Sequence, residues 1–199
     1  MYPERKEYSY PALLVLSAIF GLVAAFALTI EKINQLSNPG SSAACDYSLL
    51  VQCSSNLDSW QGSLFGFPNP LLGIVGWSMV LVVGVAFISG VKFPKFFLQL
   101  FNLGLFAALL FVIWLIYVSI FTLGTLCPWC IVTWLATIPA FIIGTLWSFK
   151  QGIWGNRLIG IGKTLLFWSP SIVLLVYVIP AIIAQVELDW INRAFLLLF

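Results

Sequence analysis

Apolar runs dominate the chain, and its polar positions fall in short clusters between them. From Tyr8 to Ile30 there is no charged residue, enough for one membrane-spanning helix of roughly 20 residues. A first span is therefore placed at 11–33. A second apolar run, 71–91, is followed by the polar turn at Lys92, Pro94 and Lys95. The 54 residues from 96 to 149 carry no charge, too many for one helix, and predict a hairpin of two spans. Thr122, Gly124, Thr125 and Pro128 mark its break, giving spans at 96–121 and 127–149. Lys150, Gly152, Gly155, Asn156, Arg157 and Lys163 form the next connection, and a fifth span is placed at 164–186. Pro170 and Pro180 kink that span or set its ends. A tail with Glu187, Asp189 and Arg193 precedes a last apolar stretch.

Within the first span, Ser17, Gly21 and Ala25 recur every four positions and present a small-residue face for close helix packing. Residues 34–70 form the one long polar connection, and a loop of this length is functional or disordered. Trp60, Leu64 and Phe67 recur there at i, i+4 and i+7. That spacing predicts a short amphipathic helix lying at the membrane interface. Gly66-Phe67-Pro68-Asn69-Pro70 then turns the chain back into the bilayer.

Composition agrees with this pattern. The 199 residues are 61% hydrophobic and 8% charged, against about 25% charged in a soluble domain. The expected class is an all-α integral membrane protein in one membrane domain, 1–199. The net charge of +2 comes with no basic tract, so nothing points to nucleic acid. There is no histidine, which excludes histidine base catalysis and histidine metal ligation. Arg5 and Lys6 before an apolar run suggest a signal peptide, but the run is longer than the roughly 7–15 residues of an h-region. Ser42-Ala43-Ala44-Cys45, which faintly resembles a lipoprotein cleavage site, lies well beyond its end.

Orientation follows from basic residues. Arg5, Lys6, Lys92, Lys95, Lys150, Arg157 and Lys163 fall on one side of five spans, and only Lys32 and Arg193 on the other. Seven against two predicts a cytoplasmic N-terminus and an outside C-terminus. All four cysteines, Cys45, Cys53, Cys127 and Cys130, then lie on the extracytoplasmic side, where disulfides persist.

Cys127 and Cys130 form a Cys-x-x-Cys pair whose thiols share one helix face. Pro128 suits a first helical turn, so both sulfurs are expected in the first turn of a membrane helix. Free amides there favour a thiolate. Cys45 and Cys53 bracket seven residues in what is expected to be a mobile, exposed loop. Four cysteines allow three connectivities. A structural staple accounts for a loop pair but not for a pair three residues apart in a helix turn, which suits thiol–disulfide exchange. A four-thiolate zinc site is disfavoured by the ligand spacing, so no metal is expected. No flavin, nicotinamide or phosphate-loop motif is visible. An outer pair that meets soluble proteins and an inner pair at the membrane edge suggest a relay to a lipid-soluble two-electron acceptor, a quinone.

The loop pair, Ser59, Gly66-Phe67-Pro68-Asn69-Pro70-Leu71-Leu72-Gly73 and Cys127-Pro128-Trp129-Cys130, taken in this order, resemble the vitamin K epoxide reductase family in its bacterial branch, over about residues 11–149. The resemblance implies a four-helix transmembrane bundle around a quinone, menaquinone or ubiquinone, with a loop and an interfacial half-helix capping its outer mouth; the fifth span lies beyond it. It implies that Cys130 faces the quinone, that Cys127 exchanges with Cys53, and that Cys45 exchanges with a partner protein. By position, Ser59 matches a serine of the capping segment, and Asn69 matches a polar residue that hydrogen-bonds a quinone carbonyl. Trp134 stands where the animal enzymes have a tyrosine; its indole N–H can still donate. No thioredoxin-like domain follows the fifth span, so the resemblance implies a separate extracytoplasmic thioredoxin-like partner, similar to DsbA, at the inner (cytoplasmic) membrane. Rival readings are a DsbB-type quinone-linked oxidase and a thiol transporter of the DsbD or CcdA type. The first carries its Cys-x-x-Cys in the first outer loop, and the second wants cysteines accessible from the cytoplasmic side.

Overall fold

The computed structural model describes residues 9–192. Seven α-helices make up most of them: α1 (Ser9–Ser37), α2 (Ser54–Asp58), α3 (Asn69–Ile88), α4 (Lys95–Tyr117), α5 (Pro128–Lys150), α6 (Ile159–Phe167) and α7 (Ser169–Leu188). Five helical stretches among the described residues are long and apolar enough to cross a membrane: α1, α3, α4 with the wide turn that carries it to Leu123, α5 and α7. Arg5, Lys6 and Arg193, which entered the charge comparison, lie outside the described residues, as does the apolar stretch that ends the chain.

Helices α1 and α5 form the middle of the bundle. α3 packs on α1, α4 packs on α5, and α6 and α7 lean on α5 from outside. The small-residue face of α1 is the α1–α3 seam. Trp77 of α3 lies flat against Gly21, where a Cβ would come within 2.2 Å of the indole ring. A Cβ at Gly73 or Gly84 of α3 would come within 2.9 Å of Ala25 or Val15. Without a hydrophobic effect between helices in lipid, such backbone proximity is what holds them together. The main core, around Leu14, Ala18, Val80, Leu105, Ala140 and Trp147, lies away from the cysteines. Those gather at the other end of the bundle in a separate small cluster with Leu28, Ala43 and Leu57.

Three elements differ from the sequence expectation. The capping segment is not one amphipathic helix through Trp60, Leu64 and Phe67. It is α2, directly after Cys53, followed by a 3₁₀ turn at Trp60–Ser63. Gly62, packed on the Asn56 carbonyl, and the left-handed Gly66 break the helix there. Helix α4 ends in a π turn at Val118–Leu123, closed by Gly124 at φ 65°. The fifth span begins at Ser169, after a separate helix α6. Pro170 has no N–H to offer the Leu166 carbonyl, and Ser169 Oγ donates to that carbonyl instead, at 2.8 Å. The resulting corner lets α6 fold across the end of α5, with Gly162 against the Phe149 and Lys150 backbone.

A second proline explains how α7 is held. Pro139 lies inside α5 and leaves the Leu135 carbonyl without a helical donor. Tyr177 of α7 donates its hydroxyl to that carbonyl at 2.8 Å. In lipid an unpaired backbone carbonyl has no water to turn to, so this bond pins α7 to α5. Tyr177→Phe is expected to cost about 1 kcal/mol of stability in detergent. In a Pro139→Ala background the restored N–H serves Leu135, and the same substitution should cost almost nothing. Thermal unfolding of the four variants checks this; equal losses in both backgrounds would show that the hydroxyl serves something else.

Candidate active site

Cys127 is the N-cap of α5 and Pro128 is its first residue, so the motif opens the helix. The Cys127 sulfur accepts the Cys130 amide at 3.4 Å. Cys127 lies just ahead of the span, and its thiol is held below the ordinary cysteine range. The Cys130 side chain is the main cause, and the amides of Cys130 and Trp129 add to it, against the effects of burial and of Asp46. Both thiols of this pair are free, Cys127 fully buried and Cys130 partly so.

Cys45 and Cys53 are joined by a disulfide, with their Cα atoms 5.7 Å apart. The Cys53 sulfur lies 3.4 Å from that of Cys127. The structure therefore brings the two pairs together, across 74 residues of chain, at sulfur-to-sulfur contact.

Backbone pairing creates this contact. Leu126 donates to the Leu50 carbonyl at 2.7 Å and accepts from the Gln52 amide at 3.2 Å. The result is an isolated parallel bridge between Val51 and Leu126. The residue after Leu126 and the residue after Gln52 are the two cysteines in contact. The far side is fixed by the π turn, where Ser119 Oγ donates to the Thr125 carbonyl. Asn56 of α2 adds a bond to Thr125 Oγ1 at 3.3 Å.

The loop is not the exposed, unheld segment expected from its polarity. Cys45 is 4% exposed and Cys53 0%. What the loop exposes is its tip, Tyr47 and Leu49. The end of α1 holds it with side chains: Glu31 accepts from the Ala44 amide at 3.1 Å, Gln35 donates to Ser54 Oγ at 2.8 Å, and Lys32 pairs with Asp58 at 3.0 Å. Asp46 is the inner clamp. Its Oδ1 accepts the amides of Cys53 (2.7 Å) and Ser54 (3.1 Å); its Oδ2 accepts the Ala43 amide (3.1 Å) and Ser54 Oγ. Burial pushes this carboxyl upward, but the bonds from Ser54, Cys53 and Ala43 outweigh it and hold it below the ordinary carboxylate range.

Sequence reasoning singled out none of Asp46, Ser54, Gln35 or Leu126. The one available signal was an acidic residue directly following a reactive cysteine. Cys45, Asp46 and Cys53 bring three ligand-type atoms within 4.8 Å of one another. Two of those sulfurs are bonded to each other and the carboxylate already has four donors, so this state offers no metal-ligand set.

The remaining sequence candidates belong to the cap and to α5. Ser59 caps the 3₁₀ turn, donating to the Asn56 carbonyl at 2.8 Å and accepting from the Gly62 amide at 3.1 Å. Asn69 opens α3 and braces the same turn: Nδ2 donates to the Gln61 carbonyl at 2.6 Å and Oδ1 accepts from the Leu64 amide at 3.2 Å. Trp60 and Phe65 of this cap lean on Trp114 and Phe111 of α4. Trp134 lies one helical turn below Cys130, on the same face. It is 9% exposed, and its Nε1 has no hydrogen-bond partner among the described residues. A buried N–H without a partner is costly, and an acceptor such as a quinone carbonyl fits it.

The model of the vitamin K epoxide reductase family matches residues 12–145, about two thirds of the chain and all four helices of the bundle. A comparison with curated proteins finds no match. The chain thus belongs to the vitamin K epoxide reductase family, as a multi-pass membrane redox protein that works through cysteines.

Proposed function

We propose that this protein is a quinone-linked thiol oxidoreductase that forms disulfides in a separate, extracytoplasmic thioredoxin-like protein. The observation that carries this is the 3.4 Å contact between the Cys53 and Cys127 sulfurs. All four cysteines lie at one end of the bundle, which favours a relay between pairs over a transporter that reaches both faces. The basic turn at Lys92 and Lys95 and the basic residues around Lys150 lie at the opposite end, which supports an extracytoplasmic cysteine end.

The exchange is as follows. A partner thiolate attacks the Cys45 sulfur and Cys53 leaves as a thiolate; the partner's second thiol then displaces Cys45 and closes the partner's disulfide. Cys53 attacks Cys127 of an inner disulfide, and Cys130 leaves as a thiolate. Cys45 then attacks Cys53 and releases Cys127. Two electrons have moved inward, and the loop is a disulfide again beside an inner dithiol. That is the bonding pattern of this structure. Each step is thiolate attack on a disulfide sulfur. A quinone bound beside Cys130 supplies a two-electron, two-proton acceptor. Trp134 Nε1 would donate to its carbonyl, while Ser59 and Asn69 hold the cap over the mouth of the bundle.

Cys127→Ser and Cys130→Ser are each expected to lower quinone-dependent oxidation of a purified DsbA-like protein by more than about 100-fold. A near-parental rate in either variant would sink the proposal. In Cys130→Ser the resolving thiol is gone, so Cys53 and Cys127 should accumulate as a mixed disulfide. Mass spectrometry of non-reduced peptides checks this, and a Cys45–Cys127 link in its place would reverse the roles of the loop cysteines. Trp134→Phe should raise KM for the quinone by about tenfold, the worth of one hydrogen bond, with little change in kcat. Unchanged KM would remove Trp134 from the site.

A further inference from the structure

The loop that carries Cys45 is apolar at its tip. Tyr47 is 72% exposed and Leu49 91%, while Cys45 and Leu50 beside them are buried. The tip is a closed turn. The Tyr47 and Ser48 amides donate to the Val51 carbonyl at 2.9 and 3.1 Å, and Ser48 Oγ accepts the Val51 amide at 3.0 Å. Val51 is in turn bridged to Leu126. A fixed backbone thus holds both side chains outward, two and four residues beyond Cys45. Such a preorganised knob loses little freedom when something covers it, and tyrosine is a common anchor of protein interfaces.

The charge around the tip is negative. Every acidic residue among the described residues, Glu31, Asp46, Asp58, Glu187 and Asp189, lies at the cysteine end of the bundle. Lys32 is the one described base at that end, and it pairs with Asp58. Glu31 accepts from the Ala44 amide and Asp189 from the side-chain amides of Gln185 and Asn192, all neutral donors.

Building on the relay proposed above, we propose that Tyr47 and Leu49 form the docking knob for the thioredoxin-like partner. The partner face that receives them is apolar at its centre and basic at its rim. Tyr47 is joined to Cys45 through a single residue, so a partner seated on the knob lies over the disulfide that it must open. The acidic excess at this end steers a basic face towards the knob and turns an acidic one away. It also repels an anionic lipid surface. The aromatic residues suited to headgroup level, Trp60 and Phe65, belong instead to the cap, where they lean on α4.

The test separates docking from exchange. Tyr47→Ser and Leu49→Ser should each lower kcat/KM for oxidation of a purified DsbA-like protein about tenfold, through KM. Quinone reduction driven by dithiothreitol, which needs no docking face, should stay within about twofold of the parent. Equal losses with both reductants overturn the proposal, because the tip then only supports the site. An undiminished rate with the protein partner overturns it too. So does a loss that appears in lipid vesicles and not in detergent, which would place the tip on lipid. The basic rim is tested with a DsbA-like protein that has lysines around its Cys-x-x-Cys and with a variant of it that has glutamates there. Raising salt from about 0.01 to about 0.15 M shortens the screening length from about 30 to about 8 Å. Over that range kcat/KM should fall at least about threefold for the first and rise for the second. The same direction for both overturns the basic rim.

Affinity is read without turnover by placing serines at the partner's two cysteines. Tyr47→Ser and Leu49→Ser should each raise Kd about tenfold, and an unchanged Kd overturns the proposal. That measurement contains no exchange. Its failure is therefore distinct from failure of the relay, which shows as partner oxidation surviving the loss of Cys127 or Cys130.

Discussion

Two backbone hydrogen bonds at Leu126, its amide to the Leu50 carbonyl and the Gln52 amide to its own carbonyl, are the constraint on which the rest of the site depends. Thiol–disulfide exchange needs sulfur at contact distance, and a loop tethered only at its ends would spread its sulfurs over many ångströms. Pairing fixes the register. A slip of one residue would move the loop along Leu126 by about 3.3 Å, as much as the whole Cys53–Cys127 separation of 3.4 Å. The two cysteines in contact each follow a paired residue, so little freedom is left between bridge and sulfur. The π turn before Leu126 and its left-handed Gly124 aim that residue at the loop.

The membrane helices form the base that keeps this bridge still. Leu126 comes from the α4–α5 side, and Leu50 and Gln52 from the loop that α1 holds, so the bridge ties the two halves of the bundle at their outer end. The α1–α5 packing fixes the spacing between its two anchors. α7 adds to this from outside. Leu188, at its end, is buried and reaches to 4.0 Å of the Cβ that Gly124 lacks, while Tyr177 fastens the middle of the helix to the carbonyl that Pro139 frees. The fifth helix thus braces both α5 and the turn that leads into its cysteines.

The spans were legible because charge is absent over long runs and returns at the turns. The α5 start was legible because a proline directly after a cysteine has one comfortable place in a helix. The α1 seam was legible at Ser17, Gly21 and Ala25 because small residues four apart have few other uses in lipid. The loop's burial was not legible. Polarity was taken for exposure, whereas Asp46, Ser54 and Gln35 spend their polarity on one another and on loop amides. Asp46 finds its partners three residues back and seven and eight ahead, a spacing with no helical or strand period. The Val51–Leu126 bridge joins residues that no local pattern relates. Pro139 and Tyr177 are informative only as a pair, and they sit on different spans.

Burial of the loop disulfide divides its two arms by strength. Cys45 is 4% exposed, so in the proposed relay a partner thiol reaches it only after the Ala43–Cys45 arm lifts. Side chains hold that arm to its surroundings: Asp46 and Ser54 at the Ala43 amide, and Glu31 at the Ala44 amide. The Cys53 arm has Asp46 at the Cys53 and Ser54 amides and, in addition, the backbone pairing of Leu50 and Gln52 with Leu126. Side-chain bonds near solvent exchange readily with water, each contributing about 1 kcal/mol net. The two paired backbone bonds of the half-buried bridge reinforce each other and give way less readily. Opening therefore runs through the outer arm, and Cys53 keeps its place beside Cys127 while Cys45 is exposed. The cysteine that must not move thus has a backbone bridge beside it that the cysteine that must move lacks.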